Sequence, residues 1–107
     1  MASWFLIESR EPGESPAVND SAELAAALAR RGDDVTLFLV QNGVLPLRPN
    51  AQNQALVAAA KAGVKLRADD FSLRERGITG PLAAGAQPAP IDVVVDAMAA
   101  GTRVTWH

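Results

Sequence analysis

The sequence predicts a single-domain α/β protein: a three-layer sandwich around a mostly parallel sheet of about five strands. Three observations predict it. Strand-sized apolar runs alternate with helix-sized segments along the whole chain. The runs are nearly continuous in apolar residues, as strands buried on both faces require. Glycine, proline and capping residues punctuate the boundaries.

The first run, "WFLIES" (Trp4 to Ser9), reads as a strand and breaks into the loop "REPGESPAVND" with two prolines and a glycine. Asp20, with Glu23 three residues on, has the spacing of a capping box, so a helix is expected from about Ser21 to Arg31. Leu24 and Leu28 would share one face, Arg30 and Arg31 suit the last turn, and Gly32 suits the stop. A second strand follows at Val35 to Val40. Asn42-Gly43 in "QNGVLPLRPN" predicts a tight turn with positive φ. Asn50 is placed to cap a second helix, Ala51 to Ala62, that ends at Gly63.

"VKL" is a short third strand. "FSLRER" is about one helical turn, with Ser72 and Glu75 at capping-box spacing. "GITGPLAAGAQPAP" reads as a connecting loop: its prolines and glycines oppose a strand, while its position in the fold asks for one. Pro90 and Gly101 bracket a helix over Ile91 to Ala100, and Thr102 to Trp106 is the last strand.

Composition narrows the function. At 107 residues the chain is one domain, 1–107, and 49% of it is apolar, which suits a packed core rich in alanine. Small side chains bury little area each, so further subunits are expected to complete the burial. The net charge is −2 without a basic stripe, which argues against nucleic acid. No apolar run has membrane-spanning length, and "MASWFLIES" lacks the features of a signal peptide, so a cytoplasmic location is expected. There is no cysteine, which excludes disulfides, thiolate nucleophiles and cysteine zinc sites. The one histidine, His107, cannot make a metal site or an intrachain Ser-His-Asp triad alone and reads as a solvated residue. Neither a metal nor a cofactor is expected.

In parallel α/β sheets, sites lie at the carboxyl ends of the strands. Three loops should meet there: Ser9 to Gly13, Gln41 to Val44, and Ala68 to Ser72. "REPGES" is neither a dinucleotide fingerprint nor a P-loop, though Arg10 suits an anion or simply solvent. Gln41, Asn42 and Gly43 either present amides to a polar ligand or hold the turn through local bonds. Asp69 and Asp70, with Arg67, Arg74 and Arg76 around them, read as a general acid/base pair or as structural charges. Adjacent side chains diverge, so the structural form has one carboxylate at the N-terminus of the next helix and the other paired with an arginine. The candidate pocket is therefore Ser9, Arg10, Gln41, Asn42, Gly43, Asp69 and Asp70, with no catalytic residue assigned.

"WFLIESREP", "DVTLFLVQNGVLP", "ADDFSLRERGI" and "IDVVVDAMAAGTRV" together resemble the DsrE/DsrF-like family, which includes the DsrEFH and TusBCD sulfur-relay subunits. The resemblance runs over nearly the whole chain, and its most specific parts are the strand leading into "QNGV" and the "RG" of Arg76-Gly77. It implies a small parallel α/β sandwich that assembles into homo- or hetero-oligomers, trimers and hexamers among them. Active members of the family carry sulfur as a persulfide on a cysteine in the loop after the third strand. Asp69 occupies that place here. A carboxylate cannot hold a transferable sulfane sulfur. The resemblance thus implies a non-catalytic oligomeric subunit or binding module, like the family's cysteine-less assembly partners, or a sensor that docks a sulfur carrier without reacting. The alternative is a small-molecule or anion-binding protein, or a metal-assisted hydrolase, that uses the pocket around Asp69 and Asp70.

Overall fold

Five strands form one sheet: β1 (Ser3–Glu8), β2 (Asp34–Leu39), β3 (Lys65–Asp69), β4 (Gln87–Ala89) and β5 (Arg103–Trp106). Their order is β4-β3-β2-β1-β5, and every neighbouring pair is parallel. The structure, a computed structural model, describes residues 1–11 and 17–106. Much of the loop after β1, with Pro12 and Gly13, and also His107, lie outside the described residues. β4 is the strand about which the sequence is divided. It forms, with only three residues and at the sheet edge, where Pro88 can lack an N–H without breaking a ladder on both sides.

The central strands are buried on both faces, which is why they read as unbroken apolar runs. Leu6, Leu37, Leu39, Leu66 and Ala68 pack beneath α1 (Ala17–Arg30) and α2 (Gln54–Lys61). Phe5, Ile7, Phe38 and Val40 point to the opposite face and meet Val94 of α4 (Asp92–Ala99). Phe5 and Phe38 stack at a tilt, with centroids 5.7 Å apart. The helix side of the first layer is mostly alanine, with Ala22, Ala25, Ala26 and Ala59 almost fully buried. Leu24 does not share the buried face of Leu28: it is 46% exposed, and the inward stripe is Ala22, Ala25, Ala26 and Leu28.

Helix boundaries differ from the sequence reading in instructive ways. α1 starts at Ala17, so Asp20 sits inside its first turn and favours the dipole there without capping the end. Gly32 ends the helix with φ of 95°, while Asp33 N–H donates to the carbonyl of Leu28. After β2 the chain forms a 3₁₀ segment, Gln41–Leu47, where a tight turn was expected, and the positive φ falls on Gln41 (51°). α2 begins at Gln54, three residues later than expected. Asn50 adopts a positive φ of 65° in the preceding turn, and Asn53 Nδ2 donates to the carbonyl of Pro46. α3 (Asp70–Glu75) follows β3 directly.

Candidate functional site

An open cleft of about 730 Å³ lies at the carboxyl ends of β2, β3 and β5. Asp69 forms part of its floor. It is the last residue of β3 and the N-cap of α3, and only 7% of it is exposed. Its Oδ2 accepts from the N–H of Ser72 (3.1 Å) and from the Ser72 hydroxyl (2.6 Å). Ser72 Oγ in turn accepts from the backbone N–H of Gln41 (2.8 Å). A short relay of hydrogen bonds therefore ties the end of β2 to the end of β3 and holds Gln41 in its positive φ. The cap is thus Asp69 with Ser72, not the Ser72/Glu75 box: Ser72 is buried within α3 and Glu75 is exposed at its end.

Asn42 makes the second link. Its Oδ1 accepts from Arg76 Nε (3.2 Å) and from an Arg76 terminal nitrogen (3.0 Å). The other terminal nitrogen of Arg76 donates to the carbonyl of Ser72 (3.4 Å). All these acceptors are neutral, and among the described residues no carboxylate pairs with Arg76. Arg76 is half-buried and lines the cleft. The walls are apolar: Phe71 is 58% exposed, Ile91 51% and Trp106 62%.

The structure brings Gln41, Asn42 and Asp69 together in this cleft, while Ser9, Arg10, Gly43 and Asp70 are not part of its lining. Ser9 and Arg10 donate their backbone N–H groups to Glu8 Oε2, both at 3.0 Å. Glu8 is 1% exposed, and its Oε1 accepts from the Ser21 hydroxyl at 2.8 Å. Gly43 is pressed against this strand end, because a Cβ on it would lie 2.4 Å from the carbonyl oxygen of Glu8. Asp70 is half-buried in the first turn of α3. No ion pair joins Asp70 to Arg67, Arg74 or Arg76 among the described residues. Nor do three acidic or histidine side chains converge there on a metal-sized site.

Phe71, Ser72, Arg76, Ile91 and Trp106 line the cleft without belonging to the candidate pocket read from the sequence, in which Ser72 is a helix cap and Arg76 a partner for the aspartates. Ser72 had a signal, since Asp at a strand end with Ser three residues later is an N-cap pattern. Trp106 had one too, because it ends a parallel strand on the side where sites form. Arg76 reads in the sequence only as a partner for the aspartates, because its contact with Asn42 is long-range. A smaller cavity of about 360 Å³ opens between α1 and α2, beside Glu23, Gln52 and Gln54.

No protein-family model matches the chain, and no curated protein matches its sequence. Solved structures do share its fold. The ychN protein from E. coli superimposes with a TM-score of 0.87 at 22% identity, over 100% of both chains. MTH1491 from Methanobacterium thermoautotrophicum, described as of unknown function, gives 0.81 at 16% identity, again over 100% of both chains. BT1422 from Bacteroides thetaiotaomicron, described in the same terms, gives 0.74 at 13% identity over 98% of this chain and 95% of the other. At these identities the likeness establishes the α/β fold with its five-stranded parallel sheet.

Proposed function

We propose that the chain is a non-catalytic, DsrE-like oligomeric subunit or binding module linked to intracellular sulfur transfer or sulfur metabolism. The observation that carries this reading is the turn after β3. Its framework is intact, with Gln41, Ser72, Asn42 and Arg76 bracing the cleft, yet Asp69 stands where the resemblance places the sulfur-carrying cysteine. That carboxylate is engaged in capping α3 and has no sulfur chemistry.

Assembly is supported by α4, whose outward side carries exposed Val95 and Met98 beside Asp92 and Asp96. Val93, Val94 and Ala97 pack on the sheet, while Ile91 at its entrance, Val95 and Met98 face outward. Large apolar side chains grouped on an exposed face mark an interaction surface. Further copies of this chain, as a trimer or hexamer, or DsrE-like partner chains are the proposed cover. Light scattering of the purified protein tests this. A stable trimer or hexamer is the expected result, and a monomer at micromolar concentration that also fails to assemble with a DsrE-like partner sinks the reading.

A second reading, a small-molecule or anion-binding protein, is favoured by Arg76. Its half-buried guanidinium has only neutral partners and faces an apolar-walled cleft.

A further inference from the structure

The ligand chemistry of the cleft follows from what its groups leave unsatisfied, and it rests on the second reading above. A guanidinium carries five N–H donors, and Asn42 and Ser72 engage three of those of Arg76. Two donors and a full positive charge remain for a ligand. They suit a carboxylate, the commonest planar partner of a guanidinium.

A carboxylate alone would be a poor match, because two acids share the cleft. Asp69 accepts both its hydrogen bonds through Oδ2, and among the described residues Oδ1 accepts none. Among the described residues no buried side-chain polar atom lacks a partner, so this oxygen is reached by solvent and is open to a donor. Glu75 adds a second carboxylate at the rim. The polar part of the cleft is thus two-signed, with one cation and two anions. Around it stand Phe71, Ile91 and Trp106, each more than half exposed, although burying such side chains is favourable. A volume of about 730 Å³ is ample for a metabolite.

The geometry points to a free α-amino acid with an aromatic or branched apolar side chain as the ligand. Its carboxylate meets Arg76, its ammonium group meets Asp69 Oδ1 and Glu75, and its side chain covers Phe71, Ile91 and Trp106. A zwitterion with an apolar side chain satisfies both signs while covering the apolar walls. Phosphates and dicarboxylates would set an added negative charge against Asp69 and Glu75. Simple amines would leave Arg76 unpaired.

Isothermal titration with four probes tests the assignment. L-phenylalanine is expected to bind saturably at millimolar concentration or tighter. Phenylpropionate (no ammonium), phenethylamine (no carboxylate) and glycine (no side chain) are each expected to bind about tenfold more weakly or worse, the loss of one charge-assisted hydrogen bond or one buried ring. Arg76→Gln should abolish the preference for phenylalanine over phenethylamine. Because that variant also loses its bonds to Asn42 and Ser72, Phe71→Ala serves as the second test: Phe71 is exposed, so its removal spares the core and should still weaken phenylalanine binding several-fold. If phenylpropionate binds as well as phenylalanine, the amino-acid assignment is overturned while the anion-binding reading survives. If no probe binds to the wild type, both fall. If phenylalanine binds but neither variant weakens it, the site lies elsewhere and the inference is wrong.

Discussion

Gly43 lies so close to Glu8 that a methyl group on its Cα would sit 2.4 Å from the Glu8 carbonyl oxygen. That oxygen already accepts the N–H of Val40 at 2.9 Å, so it is held in the sheet and cannot yield. Gly43→Ala is expected to destabilise the fold by about 1–3 kcal/mol through overpacking, read as a lower denaturant midpoint at unchanged slope. A loss below about 0.5 kcal/mol, the range of ordinary surface changes, would show that the contact is loose.

This glycine also shows where sequence reading stops. "QNG" announces a glycine with a purpose, and positive φ is the natural guess. The actual reason is a long-range approach to β1, while the positive φ moved to Gln41, held by the hydroxyl of Ser72 thirty-one positions away. The sheet was legible because β1 and β2 are buried on both faces and therefore unbroken in apolar residues. Helix starts were less legible. Alanine carries no amphipathic signal, so the inward stripe of Ala22, Ala25 and Ala26 was invisible beside Leu24, which faces outward. In the cleft, Asp69 and Asn42 were found by their place at strand ends. Arg76 was visible only as a neighbour of the aspartates, because nothing local marks a side chain whose partner lies in another loop.

The two adjacent aspartates should behave very differently. Asp69→Ala removes the cap of α3 and leaves the buried Ser72 hydroxyl without its acceptor. Loss of such a cap costs about 1–2 kcal/mol. Asp70→Ala loses only a favourable charge in the first helical turn, about 0.3–1 kcal/mol. Urea denaturation of the two variants side by side checks the ordering, and equal losses would contradict the capping role.

Val95 and Met98 are 66% and 59% exposed on α4. If that face is covered by another copy, Val95→Glu and Met98→Glu should each weaken association by about tenfold or more, since a charge is then buried without a partner. Their effect on the folded monomer should stay within about 0.5 kcal/mol, as for other exposed positions. Sedimentation velocity across a concentration series reads the first effect and urea denaturation the second. Unchanged association in both variants would place the interface elsewhere.

At the far end of the sheet, Asp33 links stability to pH. Asp33 accepts from the Arg31 guanidinium, from the backbone N–H of Ala2 at 3.1 Å and from the Trp4 indole at 3.0 Å, so it clamps the start of β1 beside β2. Arg31, followed by the N–H of Ala2, lowers its pKa from 3.8 to about 2. Arg103 stacks over the Trp4 ring at 5.1 Å and adds a further cation to the cluster. A carboxyl with a depressed folded pKa contributes stability that is fully present above its unfolded value. That contribution should therefore be intact above pH 3.8 and disappear as the pH falls through about 2. Asp33→Asn lacks it at every pH. The stabilities of wild type and variant, measured by urea denaturation, should differ at neutral pH and converge between pH 4 and pH 2. A gap that stays constant across that window would mean that the hydrogen bonds to Ala2 and Trp4, and not the charge of Asp33, hold the clamp together.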